Sequence, residues 1–187
     1  MSKQFDLSVM DGMDRREVRE YVSSLLWQLR LCDGFWFLNV EKRHGRAEAE
    51  AVNGLVWDKM GDLAARDVLE RFGPFADTPC GFWKAYEYLP WIPTVECAVE
   101  HDAPDAEGVI RGITVTVRRC PAQAGREKHG LEPYECREMH ETEFRRFAAR
   151  VSPSVQVECV QAPPDPTPPE YDCRWRFVLP VGAGGDR

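Results

Sequence analysis

The sequence lacks both long apolar runs and basic stretches. These two absences argue against a membrane-spanning protein and against a nucleic-acid-binding protein. No run approaches the ~18 consecutive apolar residues of a membrane-spanning helix. The first residues also lack the basic start and apolar segment of a secretory signal. The net charge of −7 opposes a nucleic-acid surface, which would need basic clusters. We therefore expect a cytoplasmic protein that has neither a membrane nor a nucleic acid as a partner.

Closely spaced cysteine pairs are also missing. The seven cysteines are an odd number and are spread along the chain, which fits a disulfide framework poorly. In a reducing cytoplasm we expect free thiols, so each cysteine is a core residue, a metal ligand or a reactive group. They are Cys32, Cys80, Cys97, Cys120, Cys136, Cys159 and Cys173.

The length and composition are those of one globular domain. The chain has 187 residues, of which 43% are hydrophobic and 29% are charged, enough to bury a core. We predict a single domain over residues 1–187, with a helical part at about 14–90 and a sheet-containing part at about 93–180. The glycine-rich end, residues 181–187, is predicted to be floppy.

The helical part has apolar residues at the 3.6-residue period of helices. Asp14 and Glu17 form a capping box at the start of the first helix. A break is predicted at Asp33–Gly34, followed by a second helix that ends at Gly45. Three further helices are predicted at residues 47–60, 62–72 and 79–89.

After residue 93 the apolar period changes from 3.6 to 2, which predicts strands. Four strands are expected at residues 94–100, 108–119, 154–160 and 173–179, the first two forming an antiparallel hairpin. A helix pair at residues 121–129 and 136–150 lies between the second and third strands. The predicted fold is α+β, with a helical N-terminal half packed on an antiparallel sheet of about four strands and an inserted helix pair.

Cys120 stands directly before Pro121, at the start of a predicted helix. Proline favours the first helical position, and the residue before a proline is kept out of helical geometry, as an N-cap requires. The Cys120 sulfur should therefore face free backbone N–H groups and the positive end of the helix dipole. Such surroundings lower a thiol pKa, which would make Cys120 rich in thiolate at neutral pH. The alternative is that Cys120 packs as a small apolar core residue.

Cys136 and His140 are four residues apart and therefore lie on one helix face. Apolar residues share that face, so His140 is either a core histidine or the proton-transfer group of a pocket, supported by Cys136.

A third interpretation is a metal site. Cys120, Cys136 and Cys173, with His140 as a fourth ligand, would hold zinc or an iron–sulfur cluster, although their spacings match no compact ligand motif.

Five sequence blocks carry a family resemblance: DGFWFLNVEKRHG (33–45), CPAQAGREKHG (120–130), YEC (134–136), PPD (163–165) and CRWRF (173–177). In this order they resemble uncharacterised bacterial and archaeal cytosolic proteins related to the L-2-amino-thiazoline-4-carboxylate hydrolases. The resemblance spans about residues 15 to 178 and implies a shared α+β fold and hydrolysis at an amidine-like carbon. It implies that Cys120, Cys136 and Cys173 match the three cysteines of the pattern. The aspartate that the hydrolases carry three residues beyond the middle cysteine is Met139 here.

The leading hypothesis is a small hydrolase acting on a C–N bond of a small anionic molecule. Cys120 would attack the electrophilic carbon and His140 would move protons, with no cofactor. Arg126 or Gln123 would hold a carboxylate, and Cys173 and Glu41 complete the candidate substrate-binding residues. The alternatives are the zinc or iron–sulfur protein and a sensor that binds a small molecule without chemistry. In each case the partner is a small molecule or metal, and the chain could also assemble into a homo-oligomer.

Overall fold

The structure is a computed structural model that describes residues 5–166, 168 and 170–180. Within this part of the chain the helices are α1 (Arg15–His44), α2 (Arg46–Phe72), α3 (Pro79–Tyr86), α4 (Pro121–Lys128) and α5 (Arg137–Val151). The strands are β1 (Glu96–His101), β2 (Gly112–Arg119), β3 (Gln156–Gln161) and β4 (Cys173–Val178). The tail predicted at 181–187 lies outside the described residues.

The four strands form one antiparallel sheet in the order β1-β2-β4-β3. The alternating pattern places Ile113, Val115, Trp175 and Phe177 on one face, where they belong to the main hydrophobic core. Helices α3 and α5 pack on this face, and α2 packs on α5. The predicted α+β fold is confirmed, with α4 and α5 forming the helix pair between β2 and β3.

Two predicted helix breaks are wrong. α1 runs without interruption through Asp33–Gly34, and α2 runs through Gly61. A single glycine inside a helix costs only about 1 kcal/mol, which the remaining hydrogen bonds outweigh. The chain does turn at Gly45, whose φ of 91° is a conformation that glycine adopts without strain.

Gly61 allows α2 and α5 to approach each other closely. A Cβ atom placed on Gly61 would lie 2.6 Å from the main-chain oxygen of Glu143 and 2.9 Å from the Cβ of Arg146. A side chain at this position would push α5 away, and with it the residues that α5 presents to the interior. Gly54, on the same helix, has open space around it.

These two glycines provide a matched test of the α2–α5 contact. We expect Gly61→Ala to destabilise the protein by about 1–3 kcal/mol, because the added methyl group overpacks the contact. Gly54→Ala should instead stabilise it by about 0.5–1 kcal/mol through helix propensity. Chemical denaturation measures both free energies of unfolding. Equal effects of the two substitutions would contradict the close approach.

Helix α1 differs from the other helices in having no buried residue along its whole length. It is attached to the rest of the molecule by its turn into α2 and by a few side chains, among them Arg30 and Glu41. The side of α1 that faces the sheet covers a cavity in the interior. No described helix combines the length and the apolar character needed to cross a bilayer.

Candidate functional site

A cavity of about 660 Å³ lies between α1 and the helix-covered face of the sheet. All five helices contribute to its wall, which we call the central cavity. Its lining includes five of the six tryptophans, namely Trp27, Trp57, Trp83, Trp91 and Trp175. Its volume is within the 300–1,000 Å³ typical of small-molecule sites, and its mainly apolar wall is also typical. A smaller cleft of about 300 Å³ between α5 and β3 has no cysteine or histidine in its lining.

Four of the seven residues selected from the sequence line the central cavity: Cys120, Arg126, His140 and Cys173. The folded chain thus brings together residues that are up to 53 positions apart in the sequence. The other three, Glu41, Gln123 and Cys136, do not line the cavity but bind or contact residues of its wall. Part of the set therefore meets at one cavity.

Cys120 occupies the predicted position at the start of α4. Its backbone is extended, with φ −89° and ψ 118°, and Pro121 is the first helical residue. Its main-chain N–H donates to a carboxylate oxygen of Asp172, which fixes the end of β2 against the start of β4. The sulfur itself forms no capping hydrogen bond.

The prediction that Cys120 is rich in thiolate is wrong. Burial raises the pKa of this thiol, and the nearby Asp172 carboxylate raises it further. The amides of Gln123 and Ala122 and the charge of Arg30 act in the opposite direction but are outweighed. The helix start was located correctly, but removal of the sulfur from water has the larger effect. Cys120 is therefore a neutral thiol at pH 7.

Cys136 and Cys173 are also neutral thiols. Burial raises the pKa of Cys136 well above its usual value and that of Cys173 to about 12, and the neighbouring thiols add to both shifts. No three His, Cys, Asp or Glu side chains among the described residues are grouped as a metal site. The geometry therefore gives no support to the zinc or iron–sulfur interpretation.

His140 belongs to a hydrogen-bonded chain that includes a buried acid. Its Nδ1 lies 2.9 Å from Oε2 of Glu143, which is 2% exposed. The other carboxylate oxygen of Glu143 accepts a 2.7 Å hydrogen bond from the Tyr86 hydroxyl. All three residues line the central cavity. His140 Nε2 forms no hydrogen bond with any described residue, so this nitrogen is available to a ligand.

Aromatic rings fix the orientation of the imidazole. Phe144 stacks on His140 with ring centroids 5.6 Å apart. Trp175 and Trp57 lie at 6.3 and 6.4 Å, at steeper angles. The predicted alternatives for His140, core histidine or pocket histidine, are thus combined, because the side chain packs in the core and also lines a cavity.

The predicted substrate-binding residues on α4 are already engaged in interactions within the protein. Arg126 forms a two-pronged ion pair with Glu41, at 2.6 and 2.9 Å, and also donates to the Glu132 carbonyl. The Gln123 amide donates to the Tyr134 carbonyl and accepts from the Tyr134 N–H. Both side chains fasten α4 to its surroundings, so neither offers a free group to a carboxylate.

The sequence interpretation missed Glu143, Tyr86 and Arg30, all of which line the cavity. Glu143 had a detectable signal, since an acid three residues after a histidine lies on the same helix face. Tyr86 and Arg30 had none, because they lie on other helices at positions that no spacing rule connects to His140.

Alkylation measures the state of the Cys120 thiol. We expect iodoacetamide at pH 7 to modify Cys120 more slowly than glutathione, because its raised pKa leaves little thiolate. The rate should increase only as the pH rises above the usual thiol range. Site-resolved mass spectrometry measures it, with the exposed Cys32 as an internal reference. Faster modification than glutathione at pH 7 would show that the amides of α4 dominate after all.

Comparison with known proteins gives a family but no activity. Neither a curated protein nor a solved structure matched the chain. Residues 17–179, which include every residue of the central cavity, match a family described as a family of unknown function (DUF6125). The chain belongs to this family.

Proposed function

We propose that the protein binds a small, largely apolar organic anion in the central cavity and hydrolyses a C–N bond in it. His140 is the general base of this reaction. The observation that carries the proposal is the hydrogen bond between His140 Nδ1 and the buried Glu143, which leaves Nε2 available in a cavity of ligand size.

The carboxylate determines which imidazole nitrogen carries the proton. An ionised Glu143 can only accept hydrogen bonds, so the proton of a neutral His140 resides on Nδ1. Nε2 then has a free lone pair and accepts a proton from water or substrate. The Tyr86 hydroxyl satisfies the second oxygen of Glu143, which supports a charged carboxylate in an apolar environment.

The reaction class comes from the resemblance to thiazoline-carboxylate hydrolases. A water oxygen attacks an amidine-like carbon, and its proton passes to His140 Nε2. The imidazolium passes this proton to the amidine nitrogen, which gives a tetrahedral intermediate with a hydroxyl group. The C–N bond then breaks as His140 transfers the hydroxyl proton to the departing nitrogen, and a C=O group remains on the carbon. Water supplies all the added atoms, so the reaction needs neither an oxidant nor a cofactor.

A covalent route through Cys120 is the second candidate. It is favoured by the position of the sulfur in the same cavity as His140, close to the amides of Ala122 and Gln123. In this route the neutral thiol first gives its proton to His140, and the thiolate attacks the carbon. Cys120→Ala separates the two routes, because it abolishes covalent turnover but leaves attack by water intact.

Substitution of the base tests the proposal. With 2-amino-thiazoline-4-carboxylate as the substrate, we expect His140→Gln to lower kcat about 10²- to 10⁴-fold, the usual contribution of a general base. Glu143→Gln should also lower kcat, because it removes the charge that orients the imidazole. His44→Gln, at the exposed end of α1, is the control. Chromatography of the reaction products gives the rates, and tryptophan fluorescence gives the binding.

Two results would contradict the proposal. Full turnover by His140→Gln would exclude the imidazole as the base. Wild-type protein that binds the thiazoline and releases it unchanged would contradict hydrolysis and favour the sensor function. Gly125→Phe tests the place of binding, since Gly125 lines the cavity and has open space for a side chain. Gly54→Phe is its control outside the cavity.

A further inference from the structure

Two arginines line the central cavity, and they differ in what they already bind. Arg126 is fully engaged with Glu41 and Glu132. Arg30, on α1, forms no ion pair with any described residue. Its one hydrogen bond runs from Nη1 to the Thr94 hydroxyl, at 3.0 Å. The edge formed by Nε and Nη2 is therefore unoccupied, and this edge of a guanidinium matches a carboxylate.

We propose that Arg30 holds the carboxylate of the ligand, so that the substrate is an aromatic or aliphatic carboxylate. This inference rests on the proposed function, since it requires that the central cavity bind a ligand. It transfers the anion-binding role from Arg126 and Gln123, on α4, to α1.

Thr94 holds Arg30 in position. Its hydroxyl accepts from Arg30 and donates to the Trp91 carbonyl at 2.6 Å, so both partners fix the oxygen. The guanidinium is thereby kept in place before a ligand arrives, which lowers the entropy lost on binding. The positive charge of Arg30 also lowers the pKa of Cys120 and of Asp33, although burial has the larger, opposite effect on both groups.

The wall around Arg30 favours an apolar body behind the carboxylate. Trp27 and Leu31 from α1 and Trp91 from the segment before β1 line the cavity with it. Neither a lysine nor a second unpaired arginine is part of the lining. A single cation among aromatic rings selects a molecule with one anionic group and a ring or chain.

A pair of probes that differ only in charge tests the role of Arg30. The probes are 2-naphthoate and its uncharged amide, 2-naphthamide, with binding measured by calorimetry on the full-length protein. We expect the wild type to prefer naphthoate and Arg30→Met to lose about ten- to a hundredfold in naphthoate affinity, with naphthamide unaffected. Arg30→Lys should keep part of the preference, and Thr94→Val should reduce it. Arg43→Met, at the exposed end of α1, is the control.

The outcomes separate this inference from the proposed function. If wild type binds both probes equally, or if Arg30→Met weakens both equally, Arg30 is not the anion site and the cavity remains a binding site. If neither probe binds, or if Gly125→Phe leaves binding unchanged, the central cavity is not the site and both proposals fail. Thermal unfolding of each variant confirms that the protein tested is folded.

Discussion

The hydrogen bonds of Glu143 are the interaction on which the interior of this protein depends. A carboxylate in an apolar core is costly unless its oxygens are satisfied, and here each oxygen has one partner, Tyr86 or His140. Tyr86 belongs to α3 and the other two residues to α5, so the same bonds join two helices. The close contact at Gly61 keeps α5 in the position where this is achieved.

The central cavity combines a rigid wall with one weakly attached element. The sheet, α3 and α5 belong to the main core and hold His140 among packed aromatic rings. By contrast, α1 covers the cavity without burying any residue. Its contacts include the packing of Phe37 on Tyr134, the ion pair of Glu41 with Arg126 and the hydrogen bond of Arg30 with Thr94. The proposed chemistry therefore resides on the side of the main core, and the proposed recognition of charge on α1.

Cys120 shows how two electrostatic effects compete at one atom. A helix start favours the thiolate, while removal from water favours the thiol, and at this position burial is the stronger effect. A neutral thiol inside an apolar cavity is a weak nucleophile. The proton-accepting group with a favourable environment is instead His140, because Glu143 satisfies one nitrogen and leaves the other available.

Local periodicity in the sequence predicts the α+β class and the four strands, and the geometry of proline predicts the helix start after Cys120. His140 is also selected from the sequence, and its spacing of three positions from Glu143 could have selected that acid as well. Three features come from the fold: α1 is one helix, Glu41 neutralises Arg126, and Arg30 forms no ion pair with the part of the chain that the structure describes. Pairing of charges and loss of water depend on which distant segments meet, and no local pattern in the chain encodes that.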